Sequence, residues 1–289
     1  MNLIKTLKEK DLITPPSFIE DNLICLCIAG SESYGIATDY SDKDIVGVCF
    51  PRKRDLFPNL FGVIQGYNDE TPFGEYQQHH ILDKDSEITY DIKIFSIAKY
   101  FKLAQEGNPN ITDTLFTPRE CVIYSTPQYE MLRENRHLFL SKLAYPKYKG
   151  YAFSELKNIK NLKTGRRREM VEKLGYDAKN AGHIFRLLNF IEMILNEHTL
   201  DLRRGKEEIK YIRSGALTFE QIVDKFASRE QNLEDAYSKS NLQDKPDYNK
   251  IYNLLMAMIE SHYGETISKV EVSAKELLKL DRIRKILEE

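Results

Sequence analysis

Near residue 128 the hydrophobic period of the chain changes, and that change limits the folds open to it. Before it, short apolar runs rich in Ile, Val, Tyr and Phe recur at residues 23–29, 45–50, 88–95 and 121–124. Such runs read as strands of a sheet. After it, apolar residues fall at three- and four-residue steps over 131–143, 151–162, 169–197, 218–234, 248–263 and 274–287, the spacing of helices that bury one face. The expected class is α+β: a small mixed sheet with flanking helices in residues 1–127, then an all-helical domain in 128–289, with a ligand cleft between them.

Local signals refine this outline. The pattern over 95–105 suits a helix packed on the sheet, stopped by Gly107 and Pro109. Asn110 is placed to cap a short following helix, with Asp113 at the capping-box position. Residues 52–86 carry repeated Pro and Gly and read as a long irregular excursion. Pro146 and Gly150 are expected to separate the first two helices of the second half, and the basic segment 165–168 the next pair.

Charge and cysteine content narrow the partners. Formal net charge is −2, with 30% charged and 42% hydrophobic residues, so a nucleic-acid contact would need local basic patches. Cys25, Cys27, Cys49 and Cys121 all lie in apolar runs with no C-x-x-C spacing. Buried thiols are expected, and no structural zinc. The charged start MNLIKTLKEKDL does not read as a signal peptide, and no apolar run approaches a membrane span. A cytoplasmic protein without a membrane role is the expectation.

The stretch GSESYGIATDYSDKDIVGV, residues 30–48, carries the chemistry. Asp42 and Asp44 are two apart at the mouth of a strand, so their side chains share a face. Two carboxylates side by side repel unless a cation lies between them, and hard oxygen donors favour magnesium or manganese. Asp91, on the polar face of the 88–95 strand, is the natural third ligand. Alone, an Asp-x-Asp is as well read as a turn before a strand. Gly30 and Ser31 weigh against that reading. Glycine admits close backbone approach, and Ser31 could cap a helix starting near Glu32, leaving amides for an anion.

Gly30-Ser31, ten residues, then Asp42-Lys43-Asp44 is similar to the signature of the DNA polymerase β-like nucleotidyltransferase superfamily. With YDIKIFSIAKYFKLAQEGNPNITDTLF and GYDAKNAGHIFRLLNFIEMIL, the chain resembles the nucleotidyltransferases associated with RNA repair ligases (RlaP-like). The resemblance implies a nucleotidyltransferase fold with Asp42, Asp44 and Asp91 as catalytic, metal-binding carboxylates holding two magnesium or manganese ions. It implies that Gly30 and Ser31 contact the triphosphate, and Tyr34 and Ser41 of the same stretch join the nucleotide-binding set. Where the family most often has glutamate after G-N-P-N, this chain has Asp113, which is given no catalytic role.

In the second half Tyr176, Lys179, His183 and Arg186 are spaced to share one helical stripe, with Ala178, Ala181, Ile184, Phe185 and Leu188 opposite, toward a core. A Lys, a His and an Arg on one face make sense beside phosphates, or as a solvated basic face. Lys179, His183 and Arg186 are therefore expected to bind nucleotide or acceptor. Arg166–Arg168, Arg203–Arg204 and Arg213 could track a nucleic-acid backbone or be solvated. His79-His80 reads as surface or packing.

The expected activity is transfer of a nucleoside monophosphate from a nucleoside triphosphate, ATP among them, to a hydroxyl of RNA (a tRNA or a broken end), releasing pyrophosphate. Association with an RNA ligase is the expected partnership. The alternatives are nucleotidylation of a protein or small molecule, and an inactive RNA-binding or ligase-associated module.

Overall fold

The computed structural model describes residues 3–38, 41–56, 72–161 and 166–264, the side chain of Arg166 excepted. The helix expected over 274–287 lies outside them, as do residues 57–71 of the irregular stretch.

Two short helices, α1 (Leu3–Glu9) and α2 (Phe18–Asp21), precede β1 (Leu23–Ile28). Then come α3 (Gly30–Ser33), β2 (Lys43–Cys49), α4 (Lys53–Leu56), β3 (Glu75–Asp83), β4 (Ile88–Ser96), α5 (Ile97–Gln105), α6 (Pro109–Leu115), β5 (Val122–Ser125) and α7 (Pro127–Glu134). The second half is α8 (Ala144–Lys157), α9 (Arg166–Leu174), α10 (Ala178–Glu197), α11 (Lys206–Arg213) and α12 (Phe219–Lys239), with a further helix over 248–264.

The sheet is five-stranded, ordered β3-β4-β2-β1-β5. β2 and β4 pair in parallel and every other neighbouring pair is antiparallel. Alternation splits its side chains between two cores. On one face Leu26, Ile45, Ile92 and Ile94 pack with Ile4, Leu7 and Ile19 of α1 and α2. On the other, Cys25, Cys27, Val48 and Phe95 meet Tyr100 and Phe101 of α5, and this core continues through Phe185 and Leu188 to Tyr263. The 20-residue α10 is the axis of the helical half, packed against α8, α9, α11 and α12. The α+β class follows directly from this arrangement.

Four expected strands are present, each within two residues of its expected bounds, and all four cysteines are free and buried. Several expectations need correction. Part of the irregular excursion is β3, an edge strand whose polar sequence EYQQHHILD hides its role. The helix expected over 131–143 is α7 followed by a 3-10 turn, Arg136–Phe139. Pro146 and Gly150 lie inside α8. Pro146 is at the third helical position, where the missing N–H would have had no partner within the helix. The 169–197 pattern breaks at Gly175, whose φ of 77° favours glycine, and the basic run opens α9 instead of forming a loop. Tyr176 therefore precedes α10 and is fully buried, donating its hydroxyl proton to the Leu217 carbonyl at 2.7 Å.

Candidate active site

β1 delivers the chain to the site. After Ile28, the Ala29 N–H donates to the Asp44 carbonyl at 2.8 Å, joining the end of β1 to β2. Gly30 then turns the backbone with φ of 59° into the single turn of α3. The helix cap is Ala29, with no side-chain hydrogen bond, so Ser31 does not cap it. Ser31 instead accepts the Ile36 N–H on its carbonyl at 2.9 Å. Ser41 closes the loop mouth, its Oγ accepting from the Thr38 N–H at 3.0 Å. Asn108, not Asn110, caps α6, accepting from the amides of Asn110 and Ile111.

Asp44 and Asp91 are register partners across the parallel β2–β4 pair. Burial pushes the Asp44 carboxyl upward, and the nearby charges of Asp91 and Asp42 add to that, while Lys179 and His79 oppose it. Asp42 is exposed at the rim. Asp91 is held from the side by a bulge in β3, where the register shifts between Gln78 and Ile81. There the His80 N–H donates to Asp91 Oδ1 at 2.7 Å, and His79 Nδ1 stands 3.6 Å from Oδ2. The histidine pair thus sits beside a carboxylate of the site.

Gly30, Ser31, Tyr34, Ser41, Asp42, Asp44, Asp91, Lys179, His183 and Arg186 all line one cavity of about 790 Å³. Its sheet-side wall carries the carboxylates. Its helical wall carries Tyr151 and Glu155 of α8, Arg167 of α9, and Arg213 of α11, besides the α10 residues. A second cavity of about 420 Å³ shares Gly30, Asp44 and Asp91 with the first, and adds Lys93, Lys99, Asn108 and Asn110.

The α10 side chains differ in their engagement. Lys179 is exposed and its charge reaches Asp44. Arg186 is only 6% exposed. Its Nη1 donates to Asp113 Oδ2 at 2.6 Å, its Nη2 lies 2.7 Å from His183 Nδ1, and its guanidinium stacks 3.8 Å from the Tyr34 ring centre. Tyr34 donates its hydroxyl proton to the same Asp113 oxygen at 2.7 Å. Burial drives the Asp113 carboxyl upward, and the Arg186 charge and the Tyr34 and Tyr148 hydroxyls resist it. His183 is pushed down to about 3 by burial and then by the charges of Arg186 and Arg167.

Several basic residues are already paired. Arg167 donates to Asp177, the buried N-cap of α10, at 2.7 Å, and Arg168 pairs with Glu172 one turn along α9. Arg203 and Arg204 pair with Glu120 and Glu197. Arg213 donates to the Ile36 carbonyl at 3.3 Å. The Asp113 network was not legible from spacing, since its members come from the C-terminal end of α3 and from α6, α8 and α10. The only local hint was a carboxylate among the uncharged residues of α6.

Among the described residues, no three His, Cys, Asp or Glu side chains close on a point where a metal ion could sit. Asp91 is turned toward the bulge. The donor set nonetheless fits a hard divalent cation. Three carboxylates line one cavity, and a cation there would offset both the burial and the added repulsion from Asp91 and Asp42 that raise Asp44. Among the described residues no helix is long and apolar enough to cross a membrane.

Comparison with known proteins gives the following. The family model RlaP, RNA repair pathway DNA polymerase beta family, matches residues 6–257. An uncharacterised 38.9 kDa protein from the nrdC–mobD intergenic region of enterobacteria phage T4 is 29% identical over 112 residues. The matched stretch is 38% of this chain and 31% of that protein, so the chain spans about a third of that relative. A nucleotidyltransferase-like protein from Exiguobacterium sibiricum aligns over 80% of this chain and 73% of its own, at 11% identity and a TM-score of 0.29. That likeness is loose.

Proposed function

Because the chain belongs to the RNA repair pathway DNA polymerase beta family, and so is a nucleotidyltransferase of the polymerase β type, we propose that its cavity transfers a nucleoside monophosphate from a triphosphate to an RNA hydroxyl. The observation that carries this reading is the meeting of two β-strand carboxylates, Asp44 and Asp91, with the Gly30–Ser31 turn and Lys179 around one 790 Å³ space.

In this reading the triphosphate lies in the larger cavity. Gly30 and Ser31 meet its β- and γ-phosphates, Ser41 and Tyr34 border it, and Lys179 faces it from the helical wall. His183 contacts it too, while Arg186 supports that wall. The acceptor enters from the smaller cavity, so that its hydroxyl arrives beside Asp91. The hydroxyl oxygen attacks the α-phosphorus, the bond to the β-phosphate oxygen breaks, and pyrophosphate departs. The hydroxyl proton passes to Asp91 or to water. Magnesium or manganese, held by Asp42, Asp44 and Asp91 as a pair of ions, would supply charge stabilisation to the attacking and leaving oxygens.

The RNA acceptor and an RNA ligase as partner rest on the family description. A cytoplasmic setting rests on four free, buried thiols. Residues 1–127 would be the catalytic domain and 128–289 the domain that completes the nucleotide and acceptor walls.

The test is incubation of the protein with each α-labelled triphosphate, magnesium or manganese, and total RNA. Labelled RNA that disappears with Asp42→Ala plus Asp44→Ala is the expected result. Label in protein or small molecules instead would move the acceptor, and label unchanged in the double variant would refute the site.

A further inference from the structure

His183 and Arg186 lie one turn apart on α10, and the contact between them has a fixed polarity. A guanidinium has five N–H donors, no acceptor, and keeps its charge at any pH at which proteins fold. Its Nη2 stands 2.7 Å from His183 Nδ1, so Nδ1 must supply a lone pair. An imidazole whose Nδ1 accepts carries its single proton on Nε2 and is neutral. Protonating Nδ1 would set two N–H groups head-on.

Arg186 has little freedom to relax this constraint. Its other arm is bound to Asp113, 4% exposed, and its plane lies against Tyr34 and Phe190. Asp113 is in turn held by the hydroxyls of Tyr34 and Tyr148. The His183 ring lines the cavity beside Tyr151, whose ring centre is 5.1 Å away. The bond to Arg186 engages Nδ1 and leaves Nε2 as the other polar atom of the ring. The charged groups around that space are Lys179 and Arg186 on α10, Arg167 on α9, Arg213 on α11, Glu155 on α8, Asp44 on β2, Asp91 on β4 and Asp42 just before β2. Four cations against one carboxylate on the helical wall favour a phosphate oxygen as the group that Nε2–H meets.

We propose that Asp113 and Arg186 are positioning residues that lock His183 as a neutral imidazole, its Nε2–H offered to a phosphate oxygen of the bound nucleotide. The phosphate contact rests on the nucleotide reading of the cavity; the locked tautomer does not. His183 then contributes one directed hydrogen bond and does not accept the proton of the reaction. The low proton affinity that burial and two arginines impose on it agrees with this role.

The test is long-range ¹⁵N–¹H correlation of the full chain labelled with ¹⁵N-histidine. There are six histidines, and the His183 signals are those lost in His183→Gln. The expected result is the Nε2–H tautomer, unchanged from about pH 5.5 to 8, where an ordinary histidine titrates. A titrating His183, or an Nδ1–H tautomer, would overturn the proposal in the free protein. Asp113→Asn should make the His183 signal titrate or mix tautomers; if that variant does not fold, the wild-type signature still decides.

The contact is read with magnesium and an ATP analogue bearing a methylene bridge between its α and β phosphorus atoms. Its Kd should rise about tenfold or more in His183→Phe and stay within about threefold in His183→Gln, whose amide can stand in for Nε2–H. If dialysis shows the analogue bound while the Nε2 shift stays still, the phosphate contact is wrong and the nucleotide reading survives. If dialysis shows no binding of any triphosphate, the nucleotide reading fails and the contact falls with it.

Discussion

Gly30 lies so close to Asp44 that a Cβ added to it would stand 1.8 Å from Asp44 Oδ2 and 2.7 Å from its Cγ. The turn that leaves β1 and the carboxylate on β2 occupy each other's space, and only a residue without a side chain allows both. The turn backbone at Gly30 and the carboxylate of Asp44 are therefore one steric unit.

Gly30→Ala should consequently damage both. The positive φ alone costs about 1–2 kcal/mol for a residue with a Cβ. Asp44 must also rotate away, and a displacement of about 1 Å at a reacting centre can cost about 100-fold in rate. Thermal melts and nucleotide transfer by the purified variant check the two effects separately.

Asp44→Asn should separate stability from activity. In metal-free protein the Asp44 carboxyl is raised by burial and by Asp91 and Asp42. The folded state therefore holds that proton more tightly than the unfolded chain. Its ionised form costs stability at pH 7, and the cost fades as pH falls through the raised value toward the unfolded value of 3.8. Asp44→Asn should melt higher than wild type at pH 7 in EDTA, with the gain shrinking toward pH 4. Its activity should drop by about 100-fold or more, as expected when charge stabilisation at the reacting phosphate is lost.

Removing Asp113 leaves a buried guanidinium without its carboxylate. Asp113→Ala should cost about 3–5 kcal/mol, the range for breaking one side of a buried pair. The double variant Asp113→Leu with Arg186→Met should lose less than the two single changes summed. Urea titration of all four proteins gives the coupling.

The β3 bulge offers a finer probe. His80 has φ of 55°, and its N–H holds Asp91. His80→Gly keeps that donor and suits the backbone, so it should be neutral or stabilising by a few tenths to about 1 kcal/mol. His80→Val keeps the donor but is β-branched at positive φ, and should lower both stability and transfer rate. Equal melting temperatures for the two variants would show that the bulge is not under conformational demand.

Much of this molecule was legible in its sequence because apolar periodicity survives folding. The strands around Asp44 and Asp91 and the core face of α10 are where alternation and helical spacing put them. β3 was not legible, because an edge strand with few buried positions has little reason to be apolar. Nor was the fate of the arginines. A run such as Arg166–Arg168 looks available until Asp177 and Glu172, ten and four residues on, are folded against it. Arg186 shows the same limit. Its spacing from Lys179 and His183 predicted a shared face, but its partner, Asp113, lies 73 residues away.

The core that begins under β1 at Ile24 runs unbroken through Phe185 to Tyr263, and the Asp113–Arg186 pair ties α6 to α10. The two walls of the cavity are therefore anchored to one solid. Most of the ordering entropy of the site is lost when the chain folds, before any ligand arrives. A triphosphate would meet a receptor already set, and its affinity would reflect contacts made more than motion arrested.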